Sequence, residues 1–198
     1  MAKIDLKLVQ ELRTRTGLGM LDCRKALEEA EGNMDTAIEL LRKRGAAVAA
    51  KRVGKDTQEG LVHAYIHPGS QIGVLVEINC ETDFVARTEE LRNFAQDLCL
   101  QITAFKPLYL KPEDVSPEFI AHETEVFKAQ LAGANKPENV INSIIKGKLD
   151  KLFSEICLTK QAYLRDDQKT IEDCVQDLMA RTGENITIRR FARYQVGA

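Results

Sequence analysis

The sequence predicts an α+β protein, with a three-helix head followed by a core in which helices pack on a three-stranded antiparallel sheet. Three observations carry that prediction. Apolar residues recur at helical spacing three times within the first 45 residues; period-two alternation takes over after Gly60; and it returns near the end in "NITIRRFARYQV". Strands and helices grouped along the chain, in place of regular β-α alternation, are the pattern of an α+β fold. The expected divisions are a head at 1–45, a basic helical linker at 46–59, and a core domain with a helical insertion at 60–198.

Asp5 is placed to cap a first helix whose apolar positions are Ile4, Leu8, Val9 and Leu12, and "TGLGM" breaks it. A second helix carries Cys23, Ala26, Leu27 and Ala30 at i, i+3, i+4 and i+7 and ends at Gly32, a good C-cap residue. Asn33 caps a third, with Met34, Ala37, Ile38 and Leu41 as its stripe, expected to close at Gly45. Arg42, Lys43, Arg44, Lys51, Arg52 and Lys55 then flank an alanine-rich centre. The tail of the third helix is expected to run into a short helical linker and then a loop. Such a basic cluster suits a solvated connector or a local phosphate-contacting patch.

"LVHAYIH" puts Val62, Ala64 and Ile66 on one face of a strand, "HPGS" supplies a tight turn, and "IGVLVEI" puts Ile72, Val74, Val76 and Ile78 on one face of the next. This is a hairpin. Thr88, followed by Glu89 and Glu90, caps a long helix carrying Leu91, Phe94, Ala95, Leu98 and Ile102. After the proline-punctuated "FKPLYLKPEDVSPE", helices are expected near 117–131, 137–146, 148–157 and 170–181; the clearest stripe is Leu149, Leu152, Phe153 and Ile156. Ile186 and Ile188 share a face but Phe191 is out of phase, so the closing strand should bulge near Arg189 or Arg190.

Composition excludes several functions. At 198 residues with 44% hydrophobic and 29% charged residues, the chain can bury one good core plus a small satellite domain. With 28 basic against 30 acidic residues, no whole-surface attraction to nucleic acid or anionic membrane is expected. No apolar run approaches the ~20 residues of a membrane span. "MAKIDLKLVQELR" is neither a signal nor a transit peptide, so the protein should work where it is made. Cys23, Cys80, Cys99, Cys157 and Cys174 form no C-x-x-C and suit small core positions in a reducing compartment. His63 and His67 share a strand face, where a metal pair is possible, but no third ligand is evident and a solvent-facing strand is the simpler account. No phosphate-cradling, dinucleotide-binding, zinc-protease or nucleophile-elbow motif occurs, which favours a binding protein over an enzyme.

The stretch "NCETDFVARTEE" raises a sharper question, because it puts Phe84 beside Asp83 between a strand that has ended and a helix that has yet to start. Either Phe84 folds back under its own helix with Asp83 as a cap, or it is held out as an anchor for a pocket on a partner.

Two segments, "LVQELRTRTGLGMLDCRKALEEAEGNMDTAIELLRKRGAAVAAK" and "VEINCETDFVAR", resemble the two signatures of the translation elongation factor Ts family, and "GENITIRRFARY" resembles its closing strand. Together they frame nearly the whole chain. The resemblance implies a ubiquitin-associated-like head and the function of a guanine nucleotide exchange factor for the GTPase elongation factor Tu, bound in its GDP-loaded and nucleotide-free forms. It implies that Asp83 and Phe84, flanked by Thr82 and Val85, intrude near the GTPase's magnesium and phosphate site, while Arg13, Met20 and Leu21 of the head grip another helix. It implies no catalytic residue, no cofactor or metal of the chain's own, no direct nucleic-acid or membrane partner, and a bacterial cytoplasm in preference to an organellar stroma or matrix. Longer relatives carry two similar core subdomains where this chain has one, so the resemblance implies a homodimer through the core sheet or helices. Family signatures often have Ala where this chain has Leu18 and Met where it has Leu21, both apolar replacements. Two other readings suit parts of the chain: a ubiquitin-binding adaptor for the head, and an RNA-binding accessory for the basic linker. Neither accounts for "CETDFVAR".

Overall fold

The computed structural model describes residues 4–131 and 137–198. It is an α+β fold divided into two compact units, one made of Met1–Leu61, Asn79–Leu91 and Asp173–Thr187, the other of Val62–Ile78, Arg92–Glu172 and Ile188–Ala198.

In the first unit, α1 (Leu6–Thr16), α2 (Met20–Glu29) and the start of α3 (Met34–Arg52) enclose a core of Val9, Leu12, Cys23, Ala26, Leu27, Ala30, Ala37 and Leu41. Asp5 caps α1 by accepting from the Lys7 amide at 3.1 Å, and Asn33 caps α3 by accepting from the Thr36 amide at 3.0 Å, both as the sequence predicts. The end of α2 comes earlier than Gly32: Glu29 is its last residue and Ala30 its C-cap. The Gly32 amide reaches the Leu27 carbonyl at 2.8 Å and the Glu31 amide the Glu28 carbonyl at 3.4 Å, so the left-handed turn begins at Glu31, with φ 51°, before Gly32 at φ 86°.

The third helix does not close at Gly45 but continues to Arg52. A glycine inside a helix costs about 1 kcal/mol relative to alanine, which is why it reads as a stop. Here it serves a close approach: a Cβ at Gly45 would lie 2.8 Å from the Cβ of Ala180 on α8 (Ile171–Thr182).

The sheet has the order β1-β2-β5, from β1 (Glu59–Ile66), β2 (Ile72–Cys80) and β5 (Ile186–Gln195). At the hairpin turn the His67 amide donates to the Ile72 carbonyl at 2.9 Å. Val74, Val76 and Ile78 of β2 are buried, as their alternation predicts. In β1 the apolar set is on the open face: Val62 is 69% and Ile66 64% exposed. The half-buried positions that alternate with them are Leu61, His63 and Tyr65. Alternation identifies a face but not which way it points, and a one-residue change of phase reverses every side chain. Here the polar ends find partners, His63 Nε2 with Gln96 Oε1 at 2.8 Å and Tyr65 Oη with His67 Nδ1 at 3.0 Å. In β5 the adjacent Arg189 and Arg190 are both exposed between buried Ile188 and half-buried Phe191, the slip of phase expected there.

Within the second unit, α5 (Glu89–Phe105) buries Phe94, Ala95, Leu98, Cys99 and Ile102. Its fully buried Gln101 donates to Gln161 Oε1 at 3.2 Å and to the Ala162 carbonyl at 3.0 Å, and accepts from the Leu164 amide at 2.9 Å. These bonds tie down a small hairpin of β3 (Ala162–Tyr163) and β4 (Asp166–Thr170) that the sequence does not predict. At two and five residues its strands are too short for a periodic signal. α6 (Pro117–Leu131) falls where expected. The two helices expected at 137–146 and 148–157 are one, α7 (Glu138–Ile156), which passes through an open position at Gly147.

Candidate partner-binding site

The residues joining β2 to α5 form a single turn of helix, α4 (Asp83–Ala86), where the sequence suggests a loop. Thr82, in extended conformation, is its N-cap, with its hydroxyl accepting from the Val85 amide at 3.5 Å. Asp83 is therefore not the cap; it pairs with Arg87 at 2.9 Å along the same turn. Thr88 then ends one helix and starts the next, donating to the Val85 carbonyl at 2.8 Å and accepting from the Leu91 amide at 3.2 Å.

Phe84 does not fold back under α5. It is 81% exposed, while Thr82, Asp83 and Val85 around it are half-buried. Leaving a phenylalanine in water forgoes about 1.5–3 kcal/mol of burial, so the isolated chain gains nothing from the arrangement.

Polar bonds hold the turn from behind. Both oxygens of Glu184 accept from Thr82, from its amide at 3.0 Å and from its hydroxyl at 2.6 Å. Glu81 reciprocates, accepting from the Asn185 amide at 2.6 Å and from Arg52 at 3.2 Å. The Asn185 side chain donates to the Lys55 carbonyl at 2.7 Å, and that of Asn79 to the Thr57 carbonyl at 3.1 Å. The Cys80 thiol donates to the Thr82 carbonyl at 3.1 Å; burial, reinforced by the negative charge of Glu184, pushes its pKa up to about 11, so it stays protonated as a donor.

On the head, Arg13 is exposed on α1, Met20 packs partly against the head core, and Leu21 at the start of α2 is 73% exposed. The α1–α2 turn depends on Gly17, whose φ of 72° favours glycine, and a Cβ there would lie 3.0 Å from Arg181 Cδ. Arg181 also donates to Glu90 in the first turn of α5. The head turn and the segment after α4 are thus joined through one arginine.

The site residues expected from the sequence all belong to this unit. Glu81, Arg181, Glu184 and Asn185 do not stand out in the sequence, because their partners lie 29 to 130 positions away and nothing local marks the pairing. Among the described residues, no three or more His, Cys, Asp or Glu side chains are grouped to hold a metal ion, and no helix is long and apolar enough to cross a membrane.

The family profile described as elongation factor TS matches residues 24–198. Similar proteins include elongation factor Ts of Caldanaerobacter subterraneus subsp. tengcongensis, 52% identical over 98% of this chain and 97% of the relative. The elongation factor Ts of Thermotoga maritima is 50% identical over the same shares of the two chains, and that of Carboxydothermus hydrogenoformans 50% over 98% of this chain and 89% of the relative. A likeness of that extent, spanning the head, the exposed-phenylalanine turn and the closing strand, places the chain in the elongation factor Ts family.

Proposed function

We propose that this chain is a guanine nucleotide exchange factor for elongation factor Tu: it binds the GDP complex, promotes GDP release, and so lets GTP rebind during translation elongation. Family membership supports the partner, and the exposure of Phe84 on a braced turn is the single observation that supports the mechanism. Phe84 and Asp83, with Thr82 and Val85 beside them, enter the GTPase near its magnesium and phosphate site, while Arg13, Met20 and Leu21 hold a second helix of its nucleotide domain. The magnesium belongs to the GTPase. No bond is made or broken by this chain, so it needs no nucleophile or cofactor of its own, and the bacterial cytoplasm, where elongation takes place, is its site of action.

Magnitudes require both contacts. Accelerating release about 10⁴-fold needs roughly 5.5 kcal/mol of preference for the distorted GTPase, whereas burying one phenylalanine contributes about 1.5–3 kcal/mol. Because coupling between sites is reciprocal, GDP and this protein weaken each other's affinity for the GTPase by one and the same factor.

The working form is a homodimer. Val62, Ile66, Leu75 and Tyr194 leave an apolar sheet face open around a groove of about 480 Å³. Exposed apolar area of this kind, in a chain with one core sheet, suits a two-fold contact with a second copy, since such an interface uses the same patch twice.

Release of a fluorescent GDP analogue from elongation factor Tu on mixing with the intact chain tests the function; acceleration supports it, and a rate equal to spontaneous release overturns it. Sedimentation of the protein alone tests the dimer: Val62→Asp with Ile66→Asp should shift a two-copy species to one copy, and an intact chain that sediments as a monomer at micromolar concentration overturns it.

A further inference from the structure

We propose that Glu184 is the positioning residue for Phe84, acting through Thr82; this rests on the exchange reading above and deepens it. Three features of the turn lead there. A helix of four residues cannot sustain itself, because one turn fixes several dihedral angles for a single hydrogen bond. Phe84, 81% exposed, has almost no packing of its own to fix its direction. Its placement therefore depends on whatever fixes the start of α4.

That start is Thr82, and its hydroxyl has one proton. The proton goes to Glu184 Oε1 at 2.6 Å, which leaves the oxygen's lone pairs turned toward the Val85 amide of α4. The Thr82 amide is anchored to the other Glu184 oxygen at 3.0 Å. One carboxylate thus sets both the backbone and the hydroxyl rotamer of the cap. The single bond that the Asn185 amide donates to Glu81 Oε1 at 2.6 Å holds Glu184 itself in register, since it fixes the backbone one residue further along. Bonds to an ionised acceptor are about twice as strong as neutral ones, so the clamp is stiff although it is only partly buried. Glu184 bonds to Thr82, so its effect on exchange runs through the placement of the turn.

The test is a double-mutant cycle on the full-length chain with GDP release from elongation factor Tu as readout. Glu184→Gln keeps the size of the side chain but replaces one of the two acceptors with a donor. It should lower the maximal rate of GDP release about tenfold while the half-saturating concentration changes little, because the head contacts remain. In a Phe84→Ala background, where no large side chain is left to position, Glu184→Gln should cost less than about twofold. Equal losses in both backgrounds would overturn the role, as a general loss of fold acts regardless of residue 84; so would a change confined to the half-saturating concentration. Intact protein that fails to accelerate release overturns the exchange reading and this role with it. A second measurement on the free protein separates the two. In Glu184→Gln the Thr82 and Val85 amides should exchange with solvent faster, while those of Ala26 and Leu27 in the head keep their protection; unchanged protection at Thr82 and Val85 contradicts the clamp whatever the GTPase does.

Discussion

The head and the α4 turn treat large apolar side chains in opposite ways. Leu12 and Leu27 of the head are wholly buried in a core drawn from three helices, whereas Phe84 is 81% exposed on a single turn fixed by carboxylate-to-backbone bonds. The head is stabilised by what it removes from water. The turn is specified by hydrogen bonds and gains no stability from its largest side chain. Substitutions in the two regions should therefore separate folding from function.

The largest effect on stability is expected in the head. Leu27→Ala leaves a cavity among packed helices and should cost about 2–5 kcal/mol, seen as a lower denaturation midpoint with an unchanged denaturant slope. A loss below about 1 kcal/mol would mean that the head core is looser than its burial indicates. Gln101→Leu comes next, because it strands the Leu164 amide and the Gln161 side chain inside the second unit; about 1–3 kcal/mol should be lost, and hydrogen exchange at Leu164 should quicken. Arg181→Ala removes a partly exposed ion pair with Glu90, for which about 0.2–1 kcal/mol is expected. Its thermal midpoint should move by only a few degrees. Smallest of all should be Phe84→Ala, within about 0.5 kcal/mol of the parent in either direction. A large destabilisation there would erase the contrast between the regions.

Much of this was legible in the letters, and the failures have a common cause. The caps at Asp5 and Asn33, the helical stripes of the head, the hairpin and the phase slip before Phe191 are local signals, carried by residues within a few positions of one another. What the letters do not carry is direction and distance. Alternation marks Val62, Ala64 and Ile66 as one face but does not say that it is the open one. Gly45 and Gly147 look like breaks because glycine is a poor helix residue, yet Gly45 is demanded by Ala180, far along the chain. The β3–β4 hairpin is held by Gln101, so its cause lies outside its own sequence. The same applies to the turn. "TDF" marks the spot, but that Phe84 points outward, and that Glu184 and Asn185 brace the turn from far along the chain, depends on contacts that no spacing rule encodes.

If Phe84 is held out for the GTPase and not for this chain's own core, removing its ring should slow exchange and leave the fold intact. The most direct test is GDP release from elongation factor Tu by Phe84→Ala beside the intact protein, with the thermal midpoint of each measured on the same preparation. Maximal release by the variant should be much slower, at an unchanged midpoint. Equal release by the two proteins would contradict that role for Phe84 and move the source of exchange to the head.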